Sequence, residues 1–365
     1  MVRSASMHPR PRAIATSSSI KTPDRCPYCN SKRLIKKGAR KKKLETVPLF
    51  RCRSCGRTFA PGPRTIRNKT YPINEILEAL TLYDRGATLE ETAARISSRH
   101  GHRVAPSTIS RWLSEHPRLT TYRHLRDRDR RLFTPTQVIR THKLYHRQVY
   151  EFAYHRAKLA FLQDGTLDDK RAESAASTTR FAAVATFLEL IPTTCPHDLF
   201  RREDGARSSQ LESNFIDPAR LIVVEKQNAA TDMASLILPA VGSNYERHPK
   251  LQRFMLANDS TTIAVEVPIW LTKSDIAAIE KEYRIRLPSD ASITGHIDFL
   301  QVRNGAVHIL DYKPDARTNR PIAQLTIYAL ALTRRVPGLR LFDIKCAWFN
   351  EREYCEFFPR FLLAK

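Results

Sequence analysis

Two cysteine pairs set the tightest constraint on how this chain folds. Cys26-Pro27-Tyr28-Cys29 and Cys52-Arg53-Ser54-Cys55 are C-x-x-C knuckles with 22 residues between them, close to the spacing of four-cysteine zinc sites. A two-residue gap lets both thiolates of a knuckle face one ion, and Arg33–Phe50 is long enough for a β-hairpin turning near Gly38. Four protein thiolates leave no open coordination position, so an ion held there is structural rather than catalytic. A redox pair or unligated thiols are the competing readings. Seven cysteines, an odd number with four in tight pairs, fit metal ligation in a reducing compartment better than a disulfide scaffold.

That architecture is a zinc ribbon, expected over residues 21–62. Lys32, Arg33, Lys36, Lys37, Arg40, Lys41, Lys42 and Lys43 crowd around it, more positive charge than a structural knob needs. The asymmetry extends along the chain. Residues 1–160 hold 35 Lys and Arg against 11 Asp and Glu, a net +24, whereas 161–365 hold 26 of each. Lys and Arg gain affinity for polyanions by releasing counterions condensed on phosphates, so DNA is the expected partner of the first half. An anionic membrane surface is the weaker alternative. A length of 365 residues suggests two or three domains. No apolar run approaches the ~20 residues that span a bilayer, and no G-x-x-x-x-G-K-[ST] marks a nucleotide-driven motor. Residues 1–20 are Arg- and Ser-rich with no apolar stretch, which reads as a disordered arm and not a secretory signal. The expected location is cytoplasmic, nucleoid-associated in a prokaryote.

Beyond a Pro61-Gly62-Pro63 linker, Ile76, Leu77, Leu80 and Tyr83 recur at helical spacing and the pattern ends at Gly86. Thr88 and Glu91 form a capping-box pair opening a second helix with Leu89, Ala93 and Ile96 as its apolar stripe, which Gly101 breaks. A third helix runs from Ala105-Pro106 to about Glu115 with Ile109, Trp112 and Leu113 inward. Its outer face offers Ser107, Thr108, Ser110 and Arg111, side-chain types that read base edges and phosphates from the major groove. This all-α segment, 70–118, resembles the helix-turn-helix of insertion-sequence transposases, which often follows a zinc ribbon. G-A-T-L-E-E-T-A and S-T-I-S-R-W carry the resemblance, which implies DNA binding. A small helical bundle that binds protein is the alternative.

Residues 119–235 read as a mainly helical connecting region. Gln137–Leu162 suggests one long helix, while Leu167–Ser177 and Arg201–Asn214 are polar loops. His142 with His146 and Glu151 with His155 are i, i+4 pairs on that helix, but the five-residue step between the pairs turns them onto different faces, so one ion could not reach both.

From 236 to 365 the pattern suits an α/β domain with a mixed sheet. Ile263–Leu271, Ile293–Arg303 and Ala306–Lys313 read as strands, and Asn304-Gly305 is a hairpin turn between the last two. Asp311 and Lys313, at i, i+2, share a strand face, and hairpin pairing can bring Asp298 alongside. Carboxylate oxygens there would hold Mg²⁺ or Mn²⁺, with the lysine acting on water near a scissile phosphate. A helix from Pro321 to about Arg334 carries Gln324 and Tyr328 on one face, and Phe342–Phe349 reads as a further strand. The ordered set G-H-I-D, D-Y-K thirteen residues on from Asp298, then Q-x-x-x-Y resembles the PD-(D/E)XK nuclease superfamily, specifically its RecB-like branch, over about 120 residues.

The resemblance implies Asp298 and Asp311 as metal ligands, Lys313 as the catalytic lysine, and Gln324 and Tyr328 as DNA-contacting or site-supporting residues. The family carries a further His or Glu before the core. The candidates are His248, in a helix Tyr245–Met255, which could instead cap that helix beside Pro249, and Glu266, which could instead be a strand-face residue. Several RecB-like nucleases hold an iron–sulfur cluster with four cysteines. Cys195, Cys346 and Cys355 cannot supply that quartet.

The expectation is a multidomain DNA-binding, divalent-metal-dependent nuclease whose basic first half captures DNA and whose second half cuts it. A structural Zn²⁺ and a catalytic Mg²⁺ or Mn²⁺ are its expected ions. A second copy of the chain and transposition or recombination proteins are further candidate partners, and a mobile-element role is the expected setting. The alternative is a sequence-specific DNA-binding regulator or transposition-complex subunit with no independent nuclease activity.

Overall fold

The computed structural model describes residues 23, 25–61, 70–164, 181–202, 205–238, 241, 244–289 and 291–363. The expected arm at 1–20 and the polar loop at 167–177 lie outside them. The chain divides into two units, Met1–Pro72 with Pro239–Asn244, and Ile73–Leu238 with Tyr245–Lys365.

The first unit contains a three-stranded antiparallel sheet, β1 (Leu34–Lys41), β2 (Thr46–Cys52) and β3 (Thr58–Phe59). The hairpin turn is not at Gly38. It spans Lys42–Glu45, closed by a Lys42 N–H to Glu45 carbonyl bond of 2.7 Å and an ion pair between the same side chains. Gly38, at φ +94°, lies inside β1 where the register slips between Lys36 and Ala39. Its positive φ serves a bulge rather than a turn. The core is small: Cys26, Phe50, Cys52 and Phe59, with Leu34 against them.

In the second unit, α1 (Ile73–Asp84), α2 (Leu89–His100) and α3 (Pro106–Glu115) form the expected three-helix arrangement. Thr88 Oγ1 accepts from the Glu91 amide and the Glu91 carboxylate accepts from the Thr88 amide, so both orphan donors of the helix start are satisfied. Gly101 ends α2 in the left-handed conformation. Ile76, Leu80, Ile96, Ile109 and Trp112 are buried between the helices. Helix α4 (Arg123–Leu132) closes the bundle, with Arg126 donating to the Tyr83 and Ala87 carbonyls.

The expected long helix Gln137–Leu162 is instead a hairpin, β4 (Ile139–Tyr145) and β5 (Val149–His155), followed by a short helix, α5 (Arg156–Asp164). The aromatic and β-branched residues that fit helical spacing also suit a strand. The second half of β5 is buried throughout, so no alternation marks it in the sequence. Next come α6 (Ala182–Thr194), α7 (His197–Arg201), β6 (Ala206–Arg207), β7 (Val224–Glu225) and α8 (Ala229–Ile237). Among its described residues the region 119–235 holds more helix than strand, yet it is more than a connector. It supplies four strands to the main sheet.

The remaining elements are α9 (Asn244–Asn258), β8 (Thr262–Leu271), α10 (Lys273–Tyr283), β9 (Ile293–Arg303), β10 (Ala306–Tyr312), α11 (Ile322–Arg335), β11 (Ile344–Phe349), β12 (Tyr354–Phe357) and α12 (Pro359–Leu363). The nine-stranded sheet runs β4-β5-β8-β9-β10-β11-β12-β7, with β6 beside the start of β9. Neighbours are antiparallel except β10–β11 and β6–β9. The β10–β11 pair is parallel because α11 carries the chain back across the sheet. Asn304 and Gly305 make the β9–β10 turn with φ of +50° and +67°, the geometry of a two-residue hairpin. Leu325, Ile327 and Leu330 of α11, Ile297 and Leu300 of β9, and Ile309 of β10 are fully buried in one core.

The helical bundle is fastened to this sheet by buried polar groups. Asn258 at the end of α9 donates to Asp84 at 2.9 Å and to the Leu119 carbonyl at 3.1 Å. At the same junction of α9 and β8, α5 is held by the Lys158 ammonium, which reaches the carbonyls of Leu256, Asp259 and Thr262 at 2.6–2.9 Å. Fully buried, its pKa is pushed down to about 8 against the pull of Asp259 and Asp129.

Candidate active site

Helix α9 and the strands β8, β9 and β10 bring four of the expected residues together. Glu266 lies between the pairs Val265↔Phe299 and Val267↔Ile297, hence opposite Asp298. Asp311 follows the last β9–β10 pair, Leu310↔Phe299, so the register sets it opposite Asp298. His248 Nε2 lies 2.8 Å from Asp298 Oδ2, and Nδ1 lies 3.6 Å from Glu266 Oε1. The ligand atoms of His248, Glu266 and Asp298 are all within 4.8 Å of one another. His248 does not simply cap its helix, and Glu266 is not a solvated strand residue.

Glu266 is the one incompletely buried position of β8, and its φ is +51°. A non-glycine residue in that conformation costs on the order of 1–3 kcal/mol, and such strain clusters where a side chain must be aimed. The electrostatics are equally uneven. Burial pushes the Glu266 carboxyl up to about 7, reinforced by Asp298. Burial also pushes Asp311 up, with Asp298 adding to the shift and Lys313 opposing it. Burial would raise Asp298 as well, but the His248 imidazole draws it down to about 2. The same pairing lifts His248 to about 9 despite its burial.

Lys313 Nζ is 2.8 Å from Asp311 Oδ2. On α11, Gln324 Nε2 donates to Tyr328 Oη at 2.8 Å, and Ser208 is hydrogen-bonded to the same hydroxyl. His248, Glu266, Asp298, Gln324 and Tyr328 line a cavity of about 260 Å³, to which Arg147 and Arg207 add positive charge. Lys313 opens on a neighbouring cavity of about 510 Å³ that shares Ser208 and Gln324 with the first.

Three supporting residues were not legible in the sequence. Gln252, one turn after His248, donates to Glu266 Oε1 at 2.7 Å; its i, i+4 spacing from His248 was the available signal. The Tyr312 amide donates to Asp298 Oδ2 at 3.1 Å, so a ladder donor is given to the site. Gly295 is required for close approach, because a Cβ there would fall 2.4 Å from Tyr328 Cε1 and 2.5 Å from Ser208 Oγ.

In the ribbon, the Cys26 and Cys55 sulfurs are 3.6 Å apart and those of Cys29 and Cys52 3.5 Å apart. All four lie within 4.8 Å of one another, a cluster that could bind a structural zinc. Backbone amides of Cys55 and Ser54 draw the Cys52 thiol down to about 6. On α3, Ser107, Ser110 and Arg111 are exposed and Thr108 half-buried, the outward placement expected of them. The two expected i, i+4 pairs do not exist as helical pairs. His142 stacks on Phe152 and Tyr154, Glu151 pairs with Arg253, and His155 faces Asp129 at 3.7 Å. Cys346 is buried in β11 with its thiol toward the Leu325 carbonyl.

Comparison with known proteins returned no match to any family model, curated protein or solved structure. No helix among the described residues is long and apolar enough to cross a membrane.

Proposed function

We propose that the chain is a DNA-binding, divalent-metal-dependent nuclease of the PD-(D/E)XK kind. The observation that carries this reading is the convergence of His248, Glu266 and Asp298, drawn from one helix and two adjacent strands, onto one cleft, with Asp311 beside Asp298 in the hairpin register and Lys313 paired to Asp311 on the wall of the neighbouring cavity. The succession helix, strand, helix, antiparallel hairpin, helix, parallel strand supports it. The donor set fits Mg²⁺ or Mn²⁺: hard carboxylate oxygens packed together, with Glu266 and Asp311 pushed up in pKa by burial and by the Asp298 charge. Asp298 and Asp311 would hold the ion, with Glu266 or His248 completing the set. Bound there, it would supply Lewis-acid stabilisation of the phosphate and a more acidic water.

The chain's own residues do the rest. Lys313 places a positive charge and donors beside Asp311, where they orient water and offset charge developing on phosphate oxygens. Gln252 and the Tyr312 amide hold the carboxylates in place, and Gln324, Tyr328 and Ser208 form the wall along which a strand would lie. Arg147 and Arg207 favour a phosphate-bearing ligand in the same cleft. The outer face of α3 and the basic ribbon would provide DNA affinity, by groove contacts and counterion release respectively.

Incubating the protein with labelled single-stranded, linear duplex and supercoiled DNA in Mg²⁺ or Mn²⁺, beside Asp311→Ala, tests the proposal. Metal-dependent cleavage lost in the variant is expected. Tight binding with no cleavage by the wild type would transfer the reading to a regulator or a partner-dependent transposition subunit.

A further inference from the structure

Three residues from two separate segments meet beside the acidic cleft. His146 lies in the turn between β4 and β5, Cys195 ends α6, and His197 opens α7 after Pro196. His146 Nε2 is 3.0 Å from His197 Nδ1 and 4.0 Å from Cys195 Sγ, and the three ligand atoms lie within 4.8 Å of one another. Zinc bonds of ~2.05 Å to nitrogen and ~2.3 Å to sulfur make tetrahedron edges of about 3.3 Å and 3.6 Å. The observed separations straddle those values.

Further contacts hold the histidine that joins the set. His146 Nδ1, the nitrogen facing away from the cysteine, is 2.9 Å from His296 Nε2, so the N–H that a metal-bound imidazole turns away from its ion has an acceptor that fixes the tautomer. Phe200 stacks on His146 with centroids 4.0 Å apart, and Tyr150 stacks on His296 at 3.6 Å. Both rings are thereby held in orientation. Cys195 is 7% exposed, so its sulfur faces the cluster rather than solvent.

We propose that Cys195, His146 and His197 form a second metal site that takes a zinc-class divalent cation. One thiolate and two imidazoles suit Zn²⁺ and reject Mg²⁺ and Ca²⁺, which demand oxygen. This ion is therefore chemically distinct from the one proposed for the carboxylates, and the inference stands whether or not the chain cuts DNA. Binding releases the thiol proton to solvent and leaves one tetrahedral position for water. His146 and His296 line the cavity that also holds His248, Glu266 and Asp298, so the ion would fasten one wall of that cleft.

Metal content of the full chain, measured by mass spectrometry after dialysis, tests the site. Cys195→Ser and His197→Gln should each release one zinc equivalent that the double variant Cys26→Ser, Cys29→Ser retains. A cobalt titration of a quadruple variant, with Cys26, Cys29, Cys52 and Cys55 all changed to Ser, should give a thiolate-to-cobalt charge-transfer band, absent once His197→Gln is added; a carboxylate site gives no such band. The His197 ring is partly exposed, so this variant decides the matter if Cys195→Ser fails to fold by circular dichroism. A folded quadruple variant that takes up no thiolate-bound cobalt, or a band that survives His197→Gln, would overturn the proposal and leave a hydrogen-bonded imidazole chain without an ion.

Discussion

The ribbon and the acidic cleft are both clusters of ionisable side chains, yet they are assembled in opposite ways. The ribbon's four sulfurs come from two knuckles on a short hairpin, around a core of four buried residues. Such a core supplies little hydrophobic free energy, so metal binding, on the order of 10–16 kcal/mol in small zinc modules, would carry the fold. The cleft's residues come from α9, β8, β9 and β10 within a nine-stranded sheet, and the scaffold holds charges that disfavour one another. Where ligands build the fold, the spacing in the chain announces them. Where the fold builds the site, the residues carry no local signature beyond a short motif.

The sharpest way to test the contrast is to remove one member of each cluster. Asp311→Ala or Lys313→Ala should lower cleavage more than ~100-fold with DNA binding intact. Retained hydrolysis by Lys313→Ala would exclude that side chain from the chemistry. Cys26→Ser with Cys29→Ser should unfold the ribbon, release its zinc and weaken DNA binding severalfold, while saturating enzyme still cuts. Unchanged binding affinity would separate the ribbon from DNA recognition.

Smaller effects probe the scaffold. Lys158→Met should cost about 3–5 kcal/mol of stability in the second unit, because three buried carbonyls lose their donor and nearby carboxylates lose their counter-charge. A thermal-unfolding scan of this variant, with ribbon zinc unchanged, would confirm that the two regions are stabilised independently. Gly295→Ala should cost about 1–3 kcal/mol and displace Tyr328, since the added methyl meets its ring and Ser208. Equal stability and cleavage would contradict the close packing.

The gentlest test is pH. Burial, with Arg303 and Lys345 nearby, draws His308 down to about 3. Its ordinary value is about 6.5, so the unfolded chain takes the proton first, and the stability it confers is present above pH 6.5 and lost as pH falls towards 3. His308→Gln should flatten the decline in stability between pH 6.5 and 4. Parallel curves for variant and wild type would show that other groups govern acid unfolding.

Local chemistry made much of this protein legible. The Thr88–Glu91 capping box, the Gly101 break and the Asn304-Gly305 turn each depend on contacts within a few residues, and each stands where the sequence places it. The β9–β10 hairpin also juxtaposes Asp298 and Asp311 by register alone. Gly38 misled because a positive φ serves a bulge as readily as a turn. Residues 139–155 misled because their aromatic and β-branched residues fit helical spacing, and burial of the second half of β5 erases the alternation that separates strand from helix.

The amino-acid order by itself determined the cysteine knuckles, the segregation of positive charge into the first 160 residues and the carboxylate–lysine motif on a hairpin. Tertiary structure alone decided that β4 and β5 extend the sheet, that Gln252 and the Tyr312 amide orient the carboxylates, and that His146, Cys195 and His197 meet across 49 to 51 positions. The physical reason is range. Caps, turns and knuckles are fixed by energies exchanged between near neighbours along the chain, whereas these clusters exist only after the burial of a shared core has offset the entropy of bringing distant segments together.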